Sequence, residues 1–211
     1  MPILFFDVDG PMVPGRALFM PKNIVPRYGW QFDPCAVGML NFLDWAVPNL
    51  RVVISSHRVG MTSPFDGTST DSKESWERIF FENGLFLKIH DDWCTVHGQA
   101  RYAQRTSKLT EIRQWLARHK EHLTDNFVVI EDEAEYYREI TDEERETFHI
   151  CAESYLEGIT WKDLDRISTF LGVENLGDKL KEYQQKMAKI RTPIVKRRIT
   201  RTLEKATPQA A

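Results

Sequence analysis

Residues 3–10 read ILFFDVDG, and this stretch restricts the fold more than any other in the chain. Four consecutive apolar residues, Ile3-Leu4-Phe5-Phe6, suit a central strand covered on both faces, as in a parallel sheet. Asp7 and Asp9 then fall where such a strand ends. Carboxylates there are costly to bury unless something positive pairs with them, and a metal ion is the usual partner.

Further apolar runs repeat the first signal. RVVIS (51–55), LFLKI (85–89), FVVIE (127–131) and FHICA (148–152) read as strands, with amphipathic stretches between them. Residues 36–47 place Val37, Leu40, Leu43 and Val47 near helical spacing. Ser72 and Ser107 stand where helix N-caps belong, and Gly84 stands where the first of these helices stops. Leu109, Ile112, Trp115 and Leu116 line one face of the second. Thr160 followed by Asp163 reads as a capping box, with Gly172 after the helix end. Alternation of this kind predicts an α/β three-layer sandwich around a mostly parallel, five-stranded, Rossmann-like sheet. Ligands of such sheets bind beyond the carboxyl ends of the strands. A domain over residues 1–175 and a basic helical or flexible tail over 176–211 follow from the patterning.

The bulk properties narrow the setting. A formal charge of −3 gives the molecule as a whole no case for binding nucleic acid or membranes. Three widely spaced cysteines, Cys35, Cys94 and Cys151, suit unpaired thiols in a reducing compartment. No apolar stretch approaches a membrane span, and the first strand leaves no room for a leader, so the expected location is cytoplasmic. The charge is unevenly placed: between Lys186 and Lys205 there are eight Lys or Arg against one Glu. That tail is either a solvated helix with a frayed end or an arm that touches a polyanion.

The polar residues after the strands form one constellation. Asp7-Val8-Asp9-Gly10 follows strand one, Ser55-Ser56-His57-Arg58 closes strand two, and Lys108 opens a helix before the strand ending in Glu131-Asp132. If the strands are parallel neighbours, these groups face one crevice. The chemistry available is phosphoryl transfer to an aspartate, with a divalent ion neutralising phosphate and carboxylates. One carboxylate attacks phosphorus while a second serves as acid and then base. A hydroxyl and a lysine hold the phosphoryl oxygens.

DVDG, VVIS, the helix-opening lysine and VVIED, in this order, resemble the four motifs of the haloacid dehalogenase (HAD) superfamily of phosphatases. SSHR and SKLTEIRQWLARH…VVIEDE look most like its polynucleotide 3′-phosphatase and RNA-repair branch. The resemblance implies Asp7 as nucleophile and Asp9 as acid/base, with Asp9 also lending its backbone carbonyl to Mg²⁺. It implies a catalytic role for Ser55 and Lys108, substrate contacts at Ser56, Arg58 and Gly10, and a metal site completed by Glu131 and Asp132. Its members usually carry two aspartates at the fourth motif, whereas this chain has Glu131 before Asp132. The longer glutamate would shift a directly bound ion, so Asp132 is expected to make the closer contact and Glu131 to support it.

The implied substrate is a phosphomonoester, with a nucleic-acid end or nucleotide ahead of a small phosphorylated metabolite. A non-catalytic member that grips nucleic acid or a phosphorylated partner is the alternative. Residues 11–33 are too few for a folded cap and read as a flap, so the site is open to large substrates. Arg16, Lys22 and Arg27 on that flap are available to a polyanion, or simply solvated. His90, Cys94 and His97 are spaced like zinc ligands but lack the second pair that a structural site needs. His57 reads as a polar turn residue, and Trp76, Trp115 and Trp161 read as packing residues.

Overall fold

The first strand, β1 (Ile3–Phe6), is buried along its whole length, and its alternating side chains feed two different cores. The computed structural model describes residues 1–20, 31–62, 69–95, 107–120, 127–133, 139–142, 150–151 and 157–190. Its strands are β1, β2 (Arg51–Ile54), β3 (Ile89–Cys94), β4 (Phe127–Ile130) and β5 (Ile150–Cys151). They form a parallel sheet in the order β3-β2-β1-β4-β5, with β1 in the middle. The helices are α1 (Pro34–Ala46), α2 (Lys73–Glu82), α3 (Lys108–Arg118), α4 (Trp161–Phe170) and α5 (176–190). A short 3-10 turn, Gly15–Phe19, follows β1.

One face of the sheet is covered by α3. Ile3, Phe5, Val53, Phe127 and Val129 pack against Leu109, Ile112, Trp115 and Leu116. Phe5 meets Trp115 edge-on at 5.4 Å between ring centroids and Phe127 at 6.0 Å. The neighbouring residue Phe6 turns to the other face and meets Phe80 of α2 at 5.8 Å. Alongside lies α1, whose Asn41 side chain donates to the Gly84 carbonyl and accepts from the Phe86 N–H. Burial of this kind is worth about 1.5–3 kcal/mol per large apolar side chain.

Local chemistry sets the helix ends. Ser72 accepts from the Ser75 N–H and Ser107 from the Thr110 N–H. Thr160 and Asp163 form a reciprocal capping box. Asp33 caps α1 through the Cys35 N–H, with Pro34 at the first helical position, so this helix begins earlier than its apolar periodicity suggests.

The third strand differs from the expectation. Residues 85–88 do not pair as a strand; Leu85 and Leu87 are buried while the chain wraps around the end of α2, where the Leu85 N–H reaches the Phe80 carbonyl. Pairing with β2 begins at Ile89 and resumes at Cys94, and the register irregularity between Val52 and Ile54 takes up the polar His90, Asp91 and Asp92. An edge strand tolerates such residues because one of its sides is open. His90 therefore belongs to a strand, edge-on to Trp115 at 5.0 Å, and Cys94 is buried at the strand's end. His97 lies outside the described residues.

The chain divides into two units, Met1–Val173 and Glu174–Ala211. In the second, α5 carries surface pairs Lys179–Glu182 and Lys181–Asp178. The basic residues from Arg191 onward lie outside the described residues. No helix among the described residues is long and apolar enough to cross a membrane.

Candidate active site

The strand register brings the site together. Phe6 is aligned with Ile54 on one side and Ile130 on the other, so the next residues, Asp7, Ser55 and Glu131, leave three adjacent strands at one level. The ladder continues through them: the Asp7 N–H donates to the Ile130 carbonyl at 3.0 Å and the Ser55 N–H to the Phe6 carbonyl at 2.8 Å. All three are buried.

After Asp7 the chain folds back sharply. The N–H groups of Met12 and Val13 both reach the Val8 carbonyl at 3.0 Å. Gly10 sits in the left-handed region at φ 75°, and a Cβ there would overlap the Asp132 carboxylate. Glycine is required at this position for both reasons.

Lys108 enters from α3. Its ammonium donates to Glu131 Oε2 at 2.6 Å and lies 3.2 Å from Asp7 Oδ1, with almost no exposure. The other Glu131 oxygen accepts from the Asp132 and Glu133 N–H groups, each at 3.2 Å. Carboxylate oxygens of Asp7, Glu131 and Asp132 lie within 4.8 Å of one another, a group that can hold a metal ion.

These carboxylates raise one another's proton affinity. Burial, set against the pull of Lys108 and reinforced by Asp9, holds Asp7 above the ordinary aspartate range. Burial and then Asp7 push Glu131 up to about 9. The same two causes push Asp132 up to about 6. Burial works against the charge on Lys108, but Asp7 and Glu131 outweigh it and hold the ammonium above its usual value. The lysine therefore stays charged, and the three carboxyl groups share at least one proton unless another cation joins them.

Asp9 stands apart. Its half-exposed carboxylate accepts from Arg58 Nε at 2.8 Å and from the second guanidinium nitrogen. Arg58 is itself framed: its N–H donates to Ser56 Oγ at 3.3 Å, and its carbonyl accepts from the Thr70 hydroxyl. The Thr70 carbonyl in turn accepts from the Trp76 indole. The Ser56 hydroxyl also bonds Asp7 and lowers its proton affinity. Ser55 Oγ is buried with no hydrogen-bond partner among the described residues. His57 is exposed.

The residues expected at the site thus come together, with Asp9 facing Arg58 rather than the carboxylate cluster. Spacing did not single out Thr70, Thr95 or Glu111. Thr95, whose N–H extends the sheet to Ile54, donates its hydroxyl to buried Glu111 at 3.1 Å. Glu111 lies three residues after Lys108 on the same helix face, and that was its one sequence signal. Arg16 of the flap is paired with Asp33, and Lys22 and Arg27 lie outside the described residues.

A family model described as the HAD domain in Swiss Army Knife RNA repair proteins matches residues 3–164. Searches of curated proteins and of solved structures returned no match.

Proposed function

The chain belongs to the HAD domain family of Swiss Army Knife RNA repair proteins, and from that premise we propose that it is a Mg²⁺-dependent phosphatase acting on nucleic-acid ends. The carrying observation is the charge balance of the buried cluster. Three clustered carboxylates share one ammonium, which contacts Asp7 and Glu131, and a divalent cation would bring the group to neutrality. Oxygen donors only, from short acidic side chains, suit magnesium. Asp7 and Asp132 would hold it, because both Glu131 oxygens are already engaged by Lys108 and backbone N–H groups.

Such an ion would neutralise charge on the phosphoryl group when bound. A carboxylate oxygen of Asp7 attacks phosphorus and forms an acyl-phosphate as the ester oxygen leaves. Asp9, released by Arg58, takes up a proton from solvent and gives it to that oxygen, then takes one from the water that attacks the same phosphorus, freeing inorganic phosphate and regenerating Asp7. Lys108 and the Ser55 hydroxyl, which has no partner among the described residues, hold phosphoryl oxygens as charge builds on them. Arg58 turns from Asp9 to the incoming phosphate, which frees the Asp9 carboxylate.

The test is phosphate release from 3′- and 5′-phosphorylated oligonucleotides and from an aryl phosphate, with and without Mg²⁺. Metal-dependent release that vanishes in Asp7→Asn supports the proposal. The Asp9–Arg58 pair favours a second reading, a non-catalytic binder of phosphorylated ends. Absence of release from every substrate, with binding retained in Asp7→Asn, would establish that reading instead.

A further inference from the structure

Five large apolar side chains are markedly exposed among the described residues: Phe19, Phe81, Phe86, Trp161 and Ile190. Single exposed apolar residues need no explanation, so placement decides which of them means something. Phe81 lines a cavity with Arg51, Lys88 and Ile89, at the amino-terminal ends of β2 and β3. Phe86 lies in the segment leading into β3, and Ile190 belongs to the second unit. Neither Phe81 nor Phe86 lies beyond the strand ends where Asp7 sits.

Phe19 and Trp161 are placed differently. Phe19 ends the 3-10 turn that follows the Asp7 loop, and its side chain is 82% exposed. That turn is tied to the loop that follows Asp7. Arg16 binds Asp33, the cap of α1, and the Asp33 N–H donates to Met12 at 2.8 Å. Trp161 is the first residue of α4 and is 53% exposed. The segment before it is tied to the same loop: the Ile159 N–H donates to the Pro11 carbonyl at 3.3 Å, and a Cβ on Gly158 would come within 2.9 Å of Pro14. Two exposed aromatics therefore stand on two contacting segments, both on the carboxyl-terminal side of the sheet.

Neither aromatic contributes to the chemistry at Asp7, and a small phosphate ester would leave both unused. We infer that Phe19 and Trp161 are stacking platforms for the unpaired nucleobases next to the reacting phosphate. This rests on the proposed phosphatase reading and names what the site recognises beyond phosphate: the bases of a single-stranded end. Every base offers a π-face, so platforms of this kind bind without strong sequence preference. Recognition of single-stranded RNA through aromatic side chains follows the same physics.

The experiment measures binding of a labelled single-stranded oligoribonucleotide, phosphorylated at both ends, to the Asp7→Asn protein. A second probe is the same strand with abasic riboses at its three terminal positions on each side. Phe19→Ala and Trp161→Ala should each weaken the base-bearing strand roughly tenfold, the size of one lost stack. Both should leave the abasic strand unaffected, and Phe19→Trp should retain affinity for the base-bearing strand. Equal weakening of both probes, or no change on either, would overturn the inference; so would affinity lost in Phe19→Trp as fully as in Phe19→Ala. Phosphate release by the wild-type protein is read in parallel. Base-dependent binding without any release would sink the phosphatase reading and leave the platforms standing. Release that ignores the bases and both aromatics would do the opposite.

Discussion

Replacing Asp132 with asparagine separates the electrostatics of the cluster from its packing. Burial and the neighbouring Asp7 raise the Asp132 carboxyl from 3.8 to about 6. The folded protein therefore holds a proton there that the unfolded chain has released above pH ~4. Stability from this group is complete below that pH and is lost as the pH rises through about 6. The full shift would correspond to about 3 kcal/mol, and partial exposure of Asp132 reduces this to about 1–2 kcal/mol. Metal-free Asp132→Asn should therefore be more stable than wild type at pH 8, by about 3–6 °C in thermal midpoint for a domain of this size. The advantage should shrink towards pH 4. Saturating Mg²⁺ should reverse the order: a ligand at a hundred times its dissociation constant adds about 2.7 kcal/mol to wild type, and little to a variant lacking one ligand. The assay is thermal unfolding at three pH values, with chelator or with Mg²⁺. A variant less stable than wild type without metal at every pH would refute the reasoning, as would a wild-type midpoint indifferent to Mg²⁺.

Lys108→Ala should cost about 3–5 kcal/mol at pH 8, because Asp7 and Glu131 lose their buried counter-charge. Denaturant unfolding should show the loss shrinking at pH 5, where holding protons on the buried carboxyls costs less relative to the unfolded chain. Gly10→Ala forces a left-handed backbone onto alanine and drives its methyl into Asp132; Mg²⁺ titration should show weakened binding, and phosphate release should fall at least tenfold. Glu111→Ala removes the acceptor for the buried Thr95 hydroxyl and should lower stability by about 1–3 kcal/mol, whereas Glu111→Gln, which keeps an acceptor oxygen, should recover most of it.

Much of the fold was legible because its signals are local. A cap such as Ser107 is a bond between residues three apart, and the β1 run announces a buried strand by composition alone. Asp7, Ser55 and Glu131 could be placed together because each directly follows a strand, and the register needed only parallel neighbours. What escaped depends on distant partners. The true extent of β3 is decided by where β2 accepts pairing, and an edge position masks its strand pattern with His90, Asp91 and Asp92. The Arg58 guanidinium reaches Asp9 across 49 positions, and Thr70, which frames it, carries no motif of its own.

Glu131 shows why a departure from a pattern can be informative. By length alone, its additional methylene would shift a directly bound ion. In the folded chain that length lets one oxygen reach Lys108 at 2.6 Å while the other accepts from the Asp132 and Glu133 N–H groups. Glu131 therefore holds two things at once: the lysine that faces Asp7 and the turn that presents Asp132. An aspartate there, one methylene shorter, would have to give up one of these contacts or pull α3 inward, against a core in which Leu109, Ile112 and Trp115 are fully buried. The glutamate thus fits the position of α3, and in the proposed metal site the carboxylate it leaves for a cation is the next residue, Asp132.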